Sequence, residues 1–150
     1  MFGKSTTIFR IAVLATLVAA PVPVLAVTLI TPEEAALPPM KGAVPNWNRG
    51  ITRGPKITIA DENGVESAPI HFQVRFRPMG GSTINLDGLK ITYLKTPNVD
   101  LTPRVRPFAQ QTGIDMPDAL LPPGDHLLRI DVKDSEGRIS TTSFLLKIAP

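Results

Sequence analysis

Apolar and polar residues alternate one by one along IHFQVRFRP, at residues 70–78. In an extended chain, Ile70, Phe72, Val74 and Phe76 fall on one side, and the polar residues between them fall on the other. A period of two is typical of a strand with one buried face, whereas the apolar positions of a helix recur every three to four residues. This stretch therefore predicts a half-buried β-strand.

Further short segments rich in strand-forming residues follow one another from residue 56 onward, with turn signals between them. They are KITIA (56–60), LKITYL (89–94), RVRPF (104–108), GIDMP (113–117), HLLRIDVKD (126–134) and STTSFLLKI (140–148). We expect RVRPF to be an edge strand, because Pro107 has no backbone N–H to give to a sheet. About seven short strands in a chain with 16 prolines disfavour a helical bundle. We predict one all-β sandwich over residues 55–149, with an Ig-like arrangement.

The first 26 residues have the three parts of a secretory signal peptide. Lys4 and Arg10 form the basic part, residues 11–20 form the apolar part, and Ala26 ends a suitable peptidase site. We therefore expect cleavage after Ala26 and a mature chain in the bacterial periplasm or outside the cell. The alternative is an uncleaved membrane anchor, because residues 11–30 are almost all apolar and about 20 such residues can span a bilayer.

Residues 27–54 show no hydrophobic periodicity, and five prolines lie between residues 32 and 55. This composition predicts an extended, Pro-rich arm between the signal peptide and the sandwich. Trp47 is the single tryptophan and lies in this arm. It either contacts a partner or folds back over one end of the core. We favour the second role, since an exposed indole makes a secreted protein less soluble.

The stretch LPPGDHLLRIDVKDSEGRISTTSFLLKI, at residues 121–148, resembles the last two strands of bacterial Ig-like and fibronectin type III-like modules. It has their Leu-Pro-Gly turn, their alternating strand, their Asp-x-x-Gly turn from Asp134 to Gly137, and their final strand. The segment GSTINLDGLKITYL resembles the link into the third strand. The resemblance implies the same sandwich over about residues 55–149. It also implies that His126, at a position where the family often has an aromatic residue, pins the corner before the sixth strand by a hydrogen bond.

The composition excludes some classes of function. The chain has 16 basic and 13 acidic residues, and removal of Lys4 and Arg10 with the signal peptide leaves 14 against 13. A mature domain so close to neutral has no general footprint for nucleic acid. There is no cysteine, which excludes a disulfide framework and disfavours an antibody-type subfamily. No nucleophile elbow, phosphate-binding Gly-rich loop or His-Glu zinc motif is present, so we expect no enzyme activity.

Metal binding is the alternative function. His126 has the inward parity of its strand and His71 the outward parity of another, so the two histidines are not expected to meet. Small periplasmic copper carriers with an Ig-like fold need histidines at the mature N-terminus and in the last hairpin. Here those places hold Val27 and the pair Gly137-Arg138. We therefore expect no bound metal or other cofactor.

One surface is a candidate for binding. If the third, sixth and seventh strands share a sheet, its outer face carries Lys90, Arg129, Lys133 and Lys147, with Asp131 among them. Such a face suits an anionic glycan or lipid headgroup, although a solvated sheet is the simpler interpretation. We expect a non-catalytic exported module whose partner is an envelope protein or glycan. We expect membrane contact if the signal segment is left uncleaved.

Overall fold

The computed structural model describes residues 25–44, 48–49, 53–60 and 64–150, and this part of the chain is predominantly β-structure in two sheets. Its strands are β1 (Val27–Thr28), β2 (Asn48–Arg49), β3 (Lys56–Ile59), β4 (Val65–Glu66), β5 (Ile70–Arg77), β6 (Ile84–Tyr93), β7 (Val99–Asp100), β8 (Ala109–Gln110), β9 (Gly113–Leu120), β10 (Gly124–Asp134) and β11 (Ile139–Ile148). Two one-turn helices, α1 (Pro32–Ala35) and α2 (Thr102–Val105), and a 3₁₀ turn (Arg106–Phe108) complete the described elements.

The strands form a first sheet in the order β1-β9-β5-β3, with β8 also beside β9. The second sheet has the order β2-β11-β10-β6-β7, with β4 also beside β11. The pairs β1–β9 and β4–β11 are parallel, and the other pairs are antiparallel. Because consecutive long strands β5 and β6 lie in different sheets, the chain crosses between the two layers instead of closing a simple meander.

The core lies between the two sheets and follows the alternation in the sequence. Along β5, every second residue from Ile70 to Phe76 is buried, as predicted. Along β10, the buried set runs from His126 through Leu128, and every second residue after it is also buried. The rings of Phe72 and Phe144, one from each sheet, stack with centroids 6.1 Å apart. The predicted sandwich is confirmed as two sheets around a shared apolar core.

Six of the seven predicted strands are present, and RVRPF is the exception. These residues form α2 and the 3₁₀ turn instead of an edge strand. Proline fits the first turn of a helix, where its missing N–H is not needed, and Pro103 takes such a position in α2. The Thr102 hydroxyl also accepts a hydrogen bond from the Ile91 amide at 2.9 Å, which holds the helix against β6.

Residues at the beginning of the predicted arm pair with the first sheet and pack into the core. Strand β1 adds to the edge of β9, and Leu29 and Ile30 are almost fully buried in the core. Their burial removes from water two apolar side chains that an extended arm would leave exposed. Two predictions for this part of the chain, the role of Trp47 and the signal peptide of residues 1–26 except for Leu25 and Ala26, lie outside the described residues.

A bidentate ion pair fastens this N-terminal segment to the domain. Arg104 donates to both carboxylate oxygens of Glu34, at 2.7 and 2.6 Å, and to the Leu29 carbonyl at 2.9 Å. Glu34 also accepts from the Thr31 amide at 2.9 Å, while the Thr31 hydroxyl caps α1. The hydrogen bonds from Arg104 lower the pKa of Glu34, against the opposing effect of burial. The segment therefore has a specific docked position.

Candidate binding surface

The predicted basic face exists, because β6, β10 and β11 are neighbours in the second sheet. One carboxylate, Asp131, lies at the centre of this face. Asp131 lies directly opposite Lys90, accepts a hydrogen bond from Arg129 Nε at 3.2 Å, and accepts another from the Thr141 hydroxyl at 2.6 Å. The centre of this face is therefore a polar network and not a cluster of free cations.

The other two lysines of the predicted face lie far from each other. Lys147 faces Asp125 at the start of β10, whereas Lys133 lies eight residues further along the same strand. At about 3.3 Å per residue, the separation along the sheet is about 26 Å. The structure does not bring Lys90, Arg129, Lys133 and Lys147 together in one site.

His126 is buried at the corner where the chain enters β10, with 2% of its surface exposed. Its Nε2–H donates to the Pro122 carbonyl at 2.7 Å, and its Nδ1 accepts from the Tyr93 hydroxyl at 2.9 Å. A carbonyl can only accept, so these contacts select the neutral tautomer with the proton on Nε2. Burial lowers the pKa of His126, against the opposing effect of the Pro122 hydrogen bond. The predicted buried, hydrogen-bonded histidine is confirmed.

His71 lies apart from His126, on the solvent face of the first sheet. Its Nε2 contacts a carboxylate oxygen of Asp115, and both side chains are more than half exposed. The first sheet itself separates this pair from the buried corner. Within the described ranges, no group of three or more His, Asp or Glu side chains could hold a metal ion.

Asp134 is a buried carboxylate that closes the turn between β10 and β11. It accepts from the backbone amides of Glu136 and Arg138, at 3.0 and 2.9 Å, and from Arg138 Nε at 2.7 Å. Burial alone would raise the pKa of Asp134, but these hydrogen bonds outweigh it and hold the pKa below its ordinary value. Both oxygens are occupied, so this acid has a structural role.

A group of unneutralised cations lies elsewhere, at one end of the first sheet. Lys56 on β3 stands directly opposite Arg77 on β5, and Arg75 stands opposite Thr58. The three basic side chains are exposed. Among the residues the structure describes, none of the three takes part in an ion pair. Like charges directly opposite each other on paired strands are destabilising, so folding alone does not favour this arrangement.

Two further cations lie at the same end of the sandwich, where β5 and β10 finish and β3, β9 and β11 begin. Arg53 lies three residues before β3, and Lys133 is next to last in β10. We call this end, with the following five cations that have no ion pair in the described structure, the cationic end: Arg53, Lys56, Arg75, Arg77 and Lys133. The acids on the elements around it have other contacts: Asp134 and Glu136 contact Arg138, Asp87 contacts Arg106, and Asp115 on β9 contacts His71.

The sequence predicts the outward direction of two of these cations but not their position beside a third. The alternation of IHFQVRFRP already places Arg75 and Arg77 on the outer face of a strand. The clustering became visible only with the register of β3, which puts Lys56 beside Arg77. Register depends on pairing between distant segments and cannot be read from one of them.

Comparisons with protein-family models, with curated proteins and with solved structures produced no match for this chain. Among the described residues, no helix has both the length and the apolar character needed to cross a membrane.

Proposed function

We propose that this chain is an exported, non-catalytic Ig-like module, nearest to the fibronectin type III-like type, that binds or positions another component of the bacterial cell envelope. The observation that carries the proposal is that its candidate catalytic groups have structural contacts, whereas several of its basic side chains have no ion pair. His126, Asp131 and Asp134, which could do chemistry, are engaged in structural hydrogen bonds. At the cationic end, five basic side chains have no ion pair in the described structure, and Lys56, Arg75 and Arg77 among them are exposed.

The strand order supports the Ig-like part of the proposal. In an Ig-like sandwich, strands A, B and E share one sheet, and strands C, F and G share the other. Here β3, β5 and β9 adjoin in the first sheet, and β6, β10 and β11 adjoin in the second. In chain order, β3, β5 and β9 correspond to strands A, B and E. In the same way, β6, β10 and β11 correspond to strands C, F and G.

The corner at His126 gives independent support. Ig-like domains often place a tyrosine at the start of strand F, where its hydroxyl bonds to the backbone a few residues upstream. His126 occupies the corresponding place in β10 and bonds to the carbonyl of Pro122, four residues upstream. The same corner argues against a copper carrier, because both ring nitrogens of His126 are already engaged.

Export is tested by locating the protein and sequencing its N-terminus. The full chain, with a C-terminal tag, is expressed in a Gram-negative bacterium and the cell is fractionated. The proposal expects the protein outside the cytoplasm, with Val27 as its first residue if the peptidase acts after Ala26. Recovery in the cytoplasm would contradict it.

Binding is tested by amine-reactive cross-linking of the same tagged protein in intact cells. The proposal expects a discrete adduct with an envelope component, weakened by neutralising Arg75 and Arg77 with glutamine. The matched variant K90Q/K147Q removes two charges from the opposite sheet and should leave the adduct unchanged. Loss of the adduct in both variants, or in neither, would count against a binding role for the cationic end.

A further inference from the structure

We infer that the cationic end lies against an anionic membrane surface, with the exposed side chains of Met79 and Ile139 at the headgroup boundary. The inference rests on the proposed export and names the component that this end contacts. It is carried by three features of this end: the distribution of charge, a like-charge pair and exposed apolar side chains.

The two ends of the sandwich differ in charge, although the mature domain is close to neutral as a whole. The cationic end has five basic side chains without an ion pair, as described above. At the opposite end, Glu34 of α1 is paired with Arg104, and the acids Glu33 and Asp125 are accompanied by Lys95 and Lys147, so that this end has no excess of positive charge. A domain with this asymmetry is oriented by a negatively charged surface, which attracts one end more strongly than the other.

The pair Lys56–Arg77 indicates that the negative partner is external. Each residue occupies a cross-strand position where an acid would stabilise the sheet. An anionic surface supplies that missing charge from outside, and basic clusters next to a membrane are recognised by anionic lipids in this way.

Exposed apolar side chains accompany these cations, which favours a lipid surface over a purely polar polyanion. Met79 lies in the loop from β5 to β6 and is 42% exposed, and Ile139 begins β11 and is 55% exposed. Arg138 joins the two elements, because its guanidinium donates to the Met79 carbonyl at 3.1 Å. Apolar side chains flanked by cations are the pattern of proteins that rest in a membrane interface.

The test is a lysine footprint on the exported product of the full chain, which can be read whether or not the N-terminal segment is retained. The protein is acetylated with an amine reagent in the presence of phosphatidylcholine vesicles or of vesicles with equal parts phosphatidylglycerol, and each lysine is quantified by mass spectrometry. We expect Lys56 to react at least about fivefold more slowly with the anionic vesicles, which is the gain of about one favourable cation–surface contact. Lys90 and Lys147, which are also exposed, serve as internal controls and should not change.

A variant and two conditions make the result specific. R75Q/R77Q should abolish the protection of Lys56 while its melting temperature stays equal to or above that of the parent, because a like-charge contact is relieved. K41Q/K147Q removes two charges away from the cationic end and should keep the protection. About 0.5 M salt should also abolish it, because charges are then screened over a few ångströms. A soluble acidic polysaccharide at equal charge should protect Lys56 much less than the anionic vesicles.

Three outcomes would overturn the inference: equal reactivity of Lys56 with both lipids, equal protection of Lys90, or equal protection of Lys56 by the polysaccharide. Each is distinct from failure of the proposed function. A cytoplasmic location would refute export, whereas an exported protein without a lipid footprint would refute the membrane contact alone.

Discussion

The Tyr93 hydroxyl and His126 Nδ1 lie 2.9 Å apart and form a hydrogen bond inside the core, between neighbouring strands of the second sheet. The other ring nitrogen of His126, Nε2, donates a hydrogen bond to the Pro122 carbonyl in the preceding corner. The rings of Tyr93 and His126 also meet edge to face, with centroids 5.7 Å apart. One buried chain of hydrogen bonds thus ties β6 to the entrance of β10.

Removing the Tyr93 hydroxyl should destabilise the domain. In Y93F, His126 Nδ1 remains buried without a donor, and an unsatisfied buried acceptor costs about 1–3 kcal/mol of unfolding free energy. T92V is the matched control, because the neighbouring Thr92 hydroxyl is buried and has no hydrogen-bond partner among the described residues. Urea unfolding should show a loss for Y93F and no loss for T92V. Equal stability of Y93F and the parent would show that the bond contributes nothing.

Stability should fall as the pH is lowered through the range below 6.5, the ordinary pKa of histidine. Burial lowers the pKa of His126 in the folded state, so the unfolded chain takes up this proton first and is favoured as the pH falls. The stability that depends on a neutral His126 is fully present above pH 6.5, and it is lost as the pH drops through the pKa of His126 in the folded protein. Melting temperatures between about pH 7.5 and 5 should decline for the parent. H126Q should be less stable but should show a weaker decline, and an equal decline would assign the effect to another group.

Tyr93 should ionise at unusually high pH. Burial, and next the charge of Glu34, raise its pKa from 10.0 to about 12. It is the only tyrosine in the chain, so tyrosinate absorbance near 295 nm reports this residue alone. Its contribution to stability is complete below pH 10 and is lost as the pH rises through the folded pKa. The absorbance of the native protein should stay low at pH 10.5, whereas the protein in urea should already titrate there. Coincident titration curves would contradict the buried environment.

The docked N-terminal segment should contribute to the stability of the whole domain. L29A removes a fully buried side chain, and such truncations cost about 2–5 kcal/mol. L25A is the matched control four residues earlier, because Leu25 is 81% exposed. Chemical denaturation of a form that retains both residues should separate the two variants clearly. If L29A unfolded like L25A, this segment would be a loose arm, as the sequence had predicted.

The contact between Phe72 and Phe144 should be essential for holding the sheets together. Phe144 has no exposed surface, and truncation of a buried aromatic residue to alanine costs about 3–5 kcal/mol. I139A, on the same strand, truncates a side chain that is 55% exposed and should change the stability by less than about 0.5 kcal/mol. Thermal melts of F144A and I139A provide the comparison. A parent-like melt for F144A would contradict the packing of the two sheets.

The strands with a clear period of two could be predicted from sequence because their pattern is local. In β5, β10 and β11, each residue's face follows from its parity, and this was enough to place Phe72, Phe144 and His126 in the core. The resemblance to Ig-like modules implied the hydrogen bond at the corner, and the structure identifies its partner as the Pro122 carbonyl, four residues upstream of His126.

Features that depend on contacts between distant segments were decided by the tertiary structure. Leu29 and Ile30 lie in a segment without periodicity, and they are buried because the edge of β9 was available to pair with β1. RVRPF has strand-forming residues, but Pro103 and the anchoring of Thr102 on β6 favour helical turns. Local preference loses to tertiary contact in both places.

The distribution of charge shows the same division most clearly. The sequence by itself determined that Lys90 and Arg129 point outward, and that Arg75 and Arg77 do so on another strand. Only the register of the sheets decided that Asp131 stands opposite Lys90 and that Lys56 stands opposite Arg77. Parity is set by neighbours in the chain, whereas the sign of a surface is set by which strands lie side by side, and that pairing is a property of the whole fold.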